Sequence, residues 1–383
     1  MRVLIAHNRY RSDVPSGENM VVDEEVTALS ESGVDVHMLE RNSDDLTRMR
    51  VALAAAGPVY SHSSVRELRS QLKRVRPDVM HVHNVFPLLS PWIVRVATEA
   101  GVPVIQTVHN FRHSCVKGTH FRDDRACMDC VGRRLPLPAL THGCYRESAV
   151  QTLPMALGAV AHHGSWRRVS RFLAVSQFVR DHLCAIGFPD ERVYIKPNGV
   201  RDAGHAGKLG DHVLFAGRLS EEKGLSQLLN AWQRLRRPPS TRLLIAGHGP
   251  LVDQVAAVAS RDPSVEYLGS LTTVELAEAR ERARLVVVPS LGPETFGRVV
   301  AEAFAGGRPV VVSDRGALPE LVDPDVGEVW RVDSEPLEGA LERALQSDLD
   351  ARGHSARARF VTRYGEQQSV RTLIQHYQEL TQR

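Results

Sequence analysis

Pro289-Ser-Leu-Gly-Pro-Glu294-Thr-Phe-Gly-Arg-Val-Val-Ala-Glu302-Ala-Phe-Ala-Gly-Gly-Arg-Pro309 is the most informative stretch of this 383-residue chain. Just ahead of it, the apolar run from Arg284 to Pro289 predicts a buried parallel strand ending at the proline. Phe296 to Ala305 predicts a helix closed by Gly306-Gly307. Glu294 then falls on the loop that leaves the strand. Glu302 lies inside the helix, about 12 Å further along its axis. Carboxylates so spaced suit a nucleotide sugar, one on the hexose and the other on the ribose hydroxyls. The diphosphate would lie beside the N–H groups that open the helix. Two solvated glutamates around an ordinary helix would read the same way, since glutamate is a good helix former.

A second segment points the same way. Val213-Leu-Phe-Ala-Gly-Arg218-Leu-Ser-Glu-Glu-Lys223-Gly224 reads as a strand, a glycine turn and a polar run opening a helix. Arg218 and Lys223 stand where a strand-to-helix loop delivers two cations to a phosphate. The chain has five lysines against 43 arginines, so a lysine in this loop carries some information. The competing reading is a surface lysine beside Glu221 and Glu222.

Strands and helices alternate along the whole chain. Apolar strands are predicted at Val3–His7, Asp35–Leu39, Val79–His83, Val104–Val108, Arg171–Val175 and Val193–Ile195 in the first half. Val213–Ala216, Arg242–Ala246, Val265–Leu268, Leu285–Val288 and Val310–Val312 follow in the second. Helical spacing over Asn19–Ser32 and Val65–Val75 ends at Gly33 and Pro77. The class is α/β with open parallel sheets covered on both faces. A chain of this length exceeds what one core serves, so two Rossmann-like halves are expected, meeting across a cleft at their strand ends. The junction is placed after Gly199.

Composition narrows the function. Hydrophobic content of 43% is that of a soluble globular protein, and a net charge of +3 is too small to argue for nucleic acid. Ala149 to Ala161 is apolar but too short to span a membrane. Met1-Arg2 leads straight into a strand with no secretory pattern, which predicts a cytoplasmic protein. A nicotinamide-binding enzyme would show Gly-x-Gly-x-x-Gly after its first strand. Here a long loop, His7 to Ser16, precedes the single glycine Gly17.

Cys115, Cys127, Cys130 and Cys144 crowd into one short stretch, leaving Cys184 outside. Cys127-Met-Asp-Cys130 has metal-knuckle spacing, and four thiolates could close a structural zinc site. Reduced free thiols are the alternative, with an iron–sulfur cluster as a minor third. Residues 112 to 171 hold ten Lys/Arg against four Asp/Glu. That is read as an acceptor-side or membrane-facing patch, giving peripheral contact at the inner face of the membrane, or as a solvated loop face.

Gly217-Arg218 with Lys223-Gly224, Gly247-His-Gly-Pro, Tyr267-Leu-Gly and Glu294-x7-Glu302 with Phe296-Gly297 resemble the retaining GT-B glycosyltransferases of family 4. Pro197-Asn-Gly-Val200 is similar to that family's interdomain junction. The resemblance implies a GT-B fold: residues 1–199 on the acceptor side, 200–363 on the donor side, and a last helix, about 364–383, packed back on the first domain. It implies transfer of a hexose from a nucleoside diphosphate sugar to a hydroxyl acceptor. No catalytic metal is expected, Arg218 and Lys223 taking that role.

The resemblance also implies that His109 sits near the anomeric carbon and that Gly17 approaches the diphosphate. Donor binding is expected from Gly17, Arg218, Lys223, Gly269, Glu294, Thr295, Phe296, Gly297 and Glu302, and catalysis from His109, Arg218, Lys223 and Glu294. His81 and His83 are read as structural or acceptor-side residues. The rival functions are an epimerase or phosphorylase on the same fold, a non-catalytic nucleotide-sugar-binding protein, and a nucleic-acid-binding role for the basic stretch.

Overall fold

The protein is described by a computed structural model that covers residues 1–12, 16–47, 55–202 and 207–382. Asp13, Val14 and Pro15, in the loop expected before Gly17, lie outside the described residues. The chain divides into two compact units.

The first unit comprises residues 1–120, 127–199 and 367–383. Its strands are β1 (Arg2–Arg9), β2 (Asp35–Asn42), β3 (Val79–Val82) and β4 (Val104–Val108). After a short hairpin of β5 (Phe121–Arg122) and β6 (Arg125–Ala126) come β7 (Arg171–Ala174) and β8 (Val193–Ile195). The six pair in parallel in the order β2-β1-β3-β4-β7-β8. β3, β4 and β7 are buried along their full length, which is why they read as near-continuous apolar runs. The helix Gly17–Glu31 returns from β1 to β2, capped by the Ser16 hydroxyl accepting from the Asn19 N–H. The C-terminal helix Glu366–Thr381 adds Val370, Leu373 and Tyr377 to the core formed by Val3, Ile5, Leu29 and Ile105. Arg171 donates to Glu379 on that helix at 2.6 Å.

The second unit comprises residues 121–126 and 200–366. The hairpin β5–β6 belongs to this unit, apart from the chain that follows Gly199. Phe121 sits in this unit's core among Leu219, Leu225 and Leu291, and apolar burial assigns the hairpin. The remaining strands are β9 (His212–Ala216), β10 (Leu243–Ala246), β11 (Val265–Gly269), β12 (Ala283–Val288), β13 (Val310–Ser313) and β14 (Gly327–Trp330). They pair in parallel in the order β11-β10-β9-β12-β13-β14. β14 was not read from the sequence because Gly-Glu-Val-Trp has no apolar run.

Chain order reverses between β9 and β12, so the loops after these two strands flank the switch point where a doubly wound sheet opens a ligand crevice. In the first unit the reversal falls between β1 and β3.

Candidate functional site

The β9 loop carries Arg218 and Lys223, and the β12 loop carries Glu294. The Lys223 ammonium donates to Oε1 of Glu294 at 2.6 Å, and the Ser290 hydroxyl donates to the same oxygen at 2.6 Å. Burial alone would push the Glu294 carboxyl up; Lys223 and Ser290 outweigh it and hold it below the ordinary carboxylate range. Burial would likewise lower Lys223, but Glu294 and Glu222 hold its pKa above the ordinary value. The pair is charged at neutral pH. Arg218 is exposed beside it in sequence.

Backbone contact holds these loops in place. Gly247, which follows β10, has φ +139, and a Cβ there would lie 1.8 Å from the carbonyl oxygen of Gly217. Its N–H donates to the Gly269 carbonyl at 2.8 Å, so the turns after β9, β10 and β11 are linked. On the other side, Leu291 N–H donates to Glu222 O at 2.9 Å, joining the β12 loop to the β9 loop.

The helix expected from Phe296 begins instead at Arg298, because Gly297 takes φ +87 as its cap. Phe296 is buried, with its ring edge-on to Tyr364 at 6.0 Å, so its side chain is turned into the core. Thr295 is part-buried on the same loop. Glu302 accepts from Arg298 one turn earlier at 2.8 Å, and from Arg280. The sequence reading missed Arg280 and Ser290. Arg298, four residues before Glu302, was legible from helical spacing alone.

In the first unit, His109 follows β4 and lines a pocket with Glu18, His83, Asn110, Arg112 and Trp166. Its Nε2 lies 2.9 Å from Nδ1 of His83, and the two rings stack at 5.2 Å. Burial, together with the neighbouring His83, holds His109 well below the usual histidine range, so it is neutral at pH 7. Glu18 accepts from the Tyr10 hydroxyl at 3.0 Å and from Asn110 at 3.3 Å, and burial pushes its carboxyl up. Gly17 is exposed at the helix start, with nothing within 4 Å of where a Cβ would stand.

None of the five cysteines forms a disulfide. Burial raises the Cys130 thiol, which also feels Cys115, Cys144 and Cys127. The Gly118 N–H donates to Sγ of Cys115 at 3.3 Å. Among the described residues the only trio of metal-ligand type with all atoms within 4.8 Å of one another is Glu25, His81 and His83; the cysteines are more loosely placed.

Two doubly wound parallel sheets, the second with loops of this design at its switch point, define the GT-B class of glycosyltransferase. Solved structures of similar fold include Anabaena HepE in complex with UDP (TM-score 0.69, 16% identity, 99% of this chain and 100% of that one). Sucrose-phosphate synthase from Thermosynechococcus elongatus gives a TM-score of 0.72 at 18% identity, over 99% of this chain and 98% of that one.

Residues 15–203 match Glycosyltransferase Family 4 and residues 210–347 match Glycosyl transferases group 1. The chain belongs to this family of glycosyltransferases. The phosphatidyl-myo-inositol mannosyltransferase of Mycobacterium leprae is 28% identical over 93% of this chain and 91% of its own. The glycogen synthase of Mycobacterium tuberculosis is 27% identical over 84% of this chain and 80% of its own.

Proposed function

We propose that this chain transfers a hexose from a nucleoside diphosphate sugar to a hydroxyl acceptor with retention at the anomeric carbon. The observation that carries this reading is the charged Lys223–Glu294 pair, 2.6 Å apart, joining the two loops of the switch point. Lys223 and Arg218 stabilise the charge that grows on the departing diphosphate. Glu294, fixed by Lys223 and Ser290, accepts hydrogen bonds from hexose hydroxyls through its remaining lone pairs. Glu302 does the same for the ribose while Arg280 and Arg298 hold it. As the anomeric carbon–oxygen bond breaks, its electron pair goes to the diphosphate. The acceptor oxygen attacks from the same face and its proton passes to a phosphate oxygen. On this reading the two cations replace a metal ion in the chemistry.

The donor is found by thermal shift with UDP-, GDP- and dTDP-sugars. A donor at a hundred times its Kd should add about 2.7 kcal/mol of stability. A labelled donor then separates transfer from epimerisation or phosphate-dependent cleavage. Binding without turnover on any acceptor or water would leave only a binding protein.

The helix Ala149–Ala161 favours a membrane-associated acceptor. It carries no charged residue, yet Val150 (82% exposed), Leu153 and Leu157 face solvent on one side. Exposed Arg146 precedes it and exposed Arg167 and Arg168 follow, as suits an anionic lipid surface. No helix among the described residues is long and apolar enough to cross a membrane. Co-sedimentation with anionic but not zwitterionic vesicles, lost in Leu153→Asp/Leu157→Asp, is the test.

The cysteine loop is read as a zinc site in which metal draws Cys115, Cys127, Cys130 and Cys144 to about 2.3 Å from the ion. Protein purified without a metal-affinity tag should then hold one zinc per chain. Substoichiometric zinc with four titrating thiols would leave them as reduced cysteines.

A further inference from the structure

Contacts at three levels clasp the β9 loop to the β12 loop. A Cβ on Gly224, at φ +69, would lie 1.8 Å from the Pro289 carbonyl oxygen. The Glu222 carbonyl accepts from the N–H groups of Leu291 and Gly292 at 2.9 and 3.1 Å. Lys223 and Glu294 then close the clasp with their ion pair. The far side of Glu294 is fixed separately, its carbonyl accepting from the Ala317 N–H at 2.8 Å.

Against the middle contact packs Phe121, delivered by β5 from far upstream. Its ring is 7% exposed and shares a core with Leu219 and Leu291. A Cβ on Gly292 would stand 3.3 Å from Phe121 Cδ2 and 2.8 Å from Glu222 Cγ. Gly292 has no side chain, so the ring meets the loop backbone itself, two residues before Glu294. The hairpin that presents the ring is tightly made. Asp123 and Asp124, at φ +52 and +54, form a two-residue turn whose twist matches that of the strands. Phe121 pairs with Ala126, and beyond them the Cys127 N–H donates to the His120 carbonyl at 2.8 Å.

We propose that Phe121 is a positioning residue for the donor site. Its ring keeps the Leu291–Gly292 backbone on the Glu222 carbonyl, and so sets Lys223 and Glu294 where the diphosphate and the hexose meet them. An aromatic ring suits this task, having a large apolar face and few torsions to freeze. Without it the backbone at Gly292 borders a cavity, and the two bonds to Glu222 open more readily. The ring carries no charge and no exchangeable proton, so its influence on the reaction is geometric. A displacement of about 1 Å at Lys223 is enough to cost on the order of a hundredfold in rate.

This inference rests on the reading of Lys223 and Glu294 as donor-site residues. The test compares Phe121→Ala and the milder Phe121→Leu with Leu341→Ala, which truncates the same core from the helix Leu337–Gln346. Each is used at a temperature where circular dichroism shows it folded, and Phe121→Leu carries the test if Phe121→Ala does not fold. Amide exchange at Leu291 and Gly292 should rise about tenfold or more in the Phe121 variants and stay within about threefold in Leu341→Ala, as for a local opening. Acylation of Lys223, followed by mass spectrometry, should quicken in the same variants, since an ammonium parted from its carboxylate gives up its proton more readily. In those variants kcat should fall roughly tenfold or more, with affinity for the nucleoside lacking phosphates unchanged.

Unchanged exchange at Leu291 and Gly292 in the folded Phe121 variants overturns the proposal. So does faster exchange with kcat intact. An equal loss in Leu341→Ala overturns it too, making the ring a filler of the core. Absence of turnover with every donor in the native protein, with exchange and acylation as expected, counts against the transferase reading and leaves the brace standing.

Discussion

The first unit buries its polar groups mainly as neutral histidines; the second uses paired ions and bare backbone. His7, His81, His120 and His162 are all buried in the first and lowered by that burial, most within ring contact of another histidine. In the second, the buried guanidinium of Arg308 is solvated by backbone carbonyls of Arg280 and Gly207, and Lys223 is matched by Glu294. Neutral rings can be packed without paying for a buried charge, but they are sensitive to acid. Ion pairs and close backbone contacts tolerate acid better and substitution worse.

The sharpest way to break this contrast is at Lys223. Lys223→Ala removes the cation proposed to match the leaving group, and we expect turnover to fall roughly 10²–10³-fold, with nucleoside affinity unchanged. Equal loss of nucleoside binding by calorimetry would mean that the loop had collapsed instead.

Gly247→Ala is next. Its Cβ would overlap the Gly217 carbonyl, and at φ +139 the residue is strained as well. A loss of roughly 3 kcal/mol is expected, read from chemical unfolding by Trp232 and Trp330 of the second unit. An unchanged midpoint would show that the loops are not held by this approach.

Glu302→Ala should weaken binding of the free nucleotide by roughly 1.5–3 kcal/mol, the worth of hydrogen bonds to a charged group. The variant leaves Arg280 and Arg298 without their carboxylate, so its fold is checked first by circular dichroism. Unchanged nucleotide affinity in a folded variant removes the ribose assignment.

The smallest effect per residue is the most selective for the first unit. His7 is lowered by burial, and further by His83, to about 3, against 6.5 when unfolded. Its folded pKa is the depressed one, so the unfolded chain takes up the proton first. Stability is therefore full above pH 6.5 and declines as pH falls toward 3. At pH 5 the loss is about 2 kcal/mol from His7, and burial lowers His113 and His120 to about 3 as well. Urea unfolding at pH 7.5 and pH 5, followed by Trp92 and Trp166 with Trp232 and Trp330 replaced by Phe, should show the decline. The reverse pair of replacements should show a smaller change.

The sequence was legible where a residue's role is set by local order. The buried strands, the loop position of Glu294 and the helix carrying Glu302 follow from apolar runs and punctuating glycines. It was silent where the role depends on chain segments far apart. His83 read as a strand histidine because nothing local links it to Glu25, 58 positions earlier. Gly297 read as part of a helix because only its backbone angle makes it the cap. Phe121 drew no assignment, since the core it enters is built from residues such as Leu219, Leu225 and Leu291, far along the chain.

That phenylalanine has a consequence for how the gene can be cut. Residues 200–366 alone would lack the ring that packs beside Leu291, with its Cδ2 3.3 Å from where a Cβ on Gly292 would stand. A transplanted second unit without the hairpin would carry an empty apolar slot, and hydrophobic cavities of that kind take up small aromatic molecules. Recombination between relatives should therefore yield stable hybrids only when the hairpin travels with the second half, as though the two exons of one module had been written apart, at residues 121–126 and 200–366.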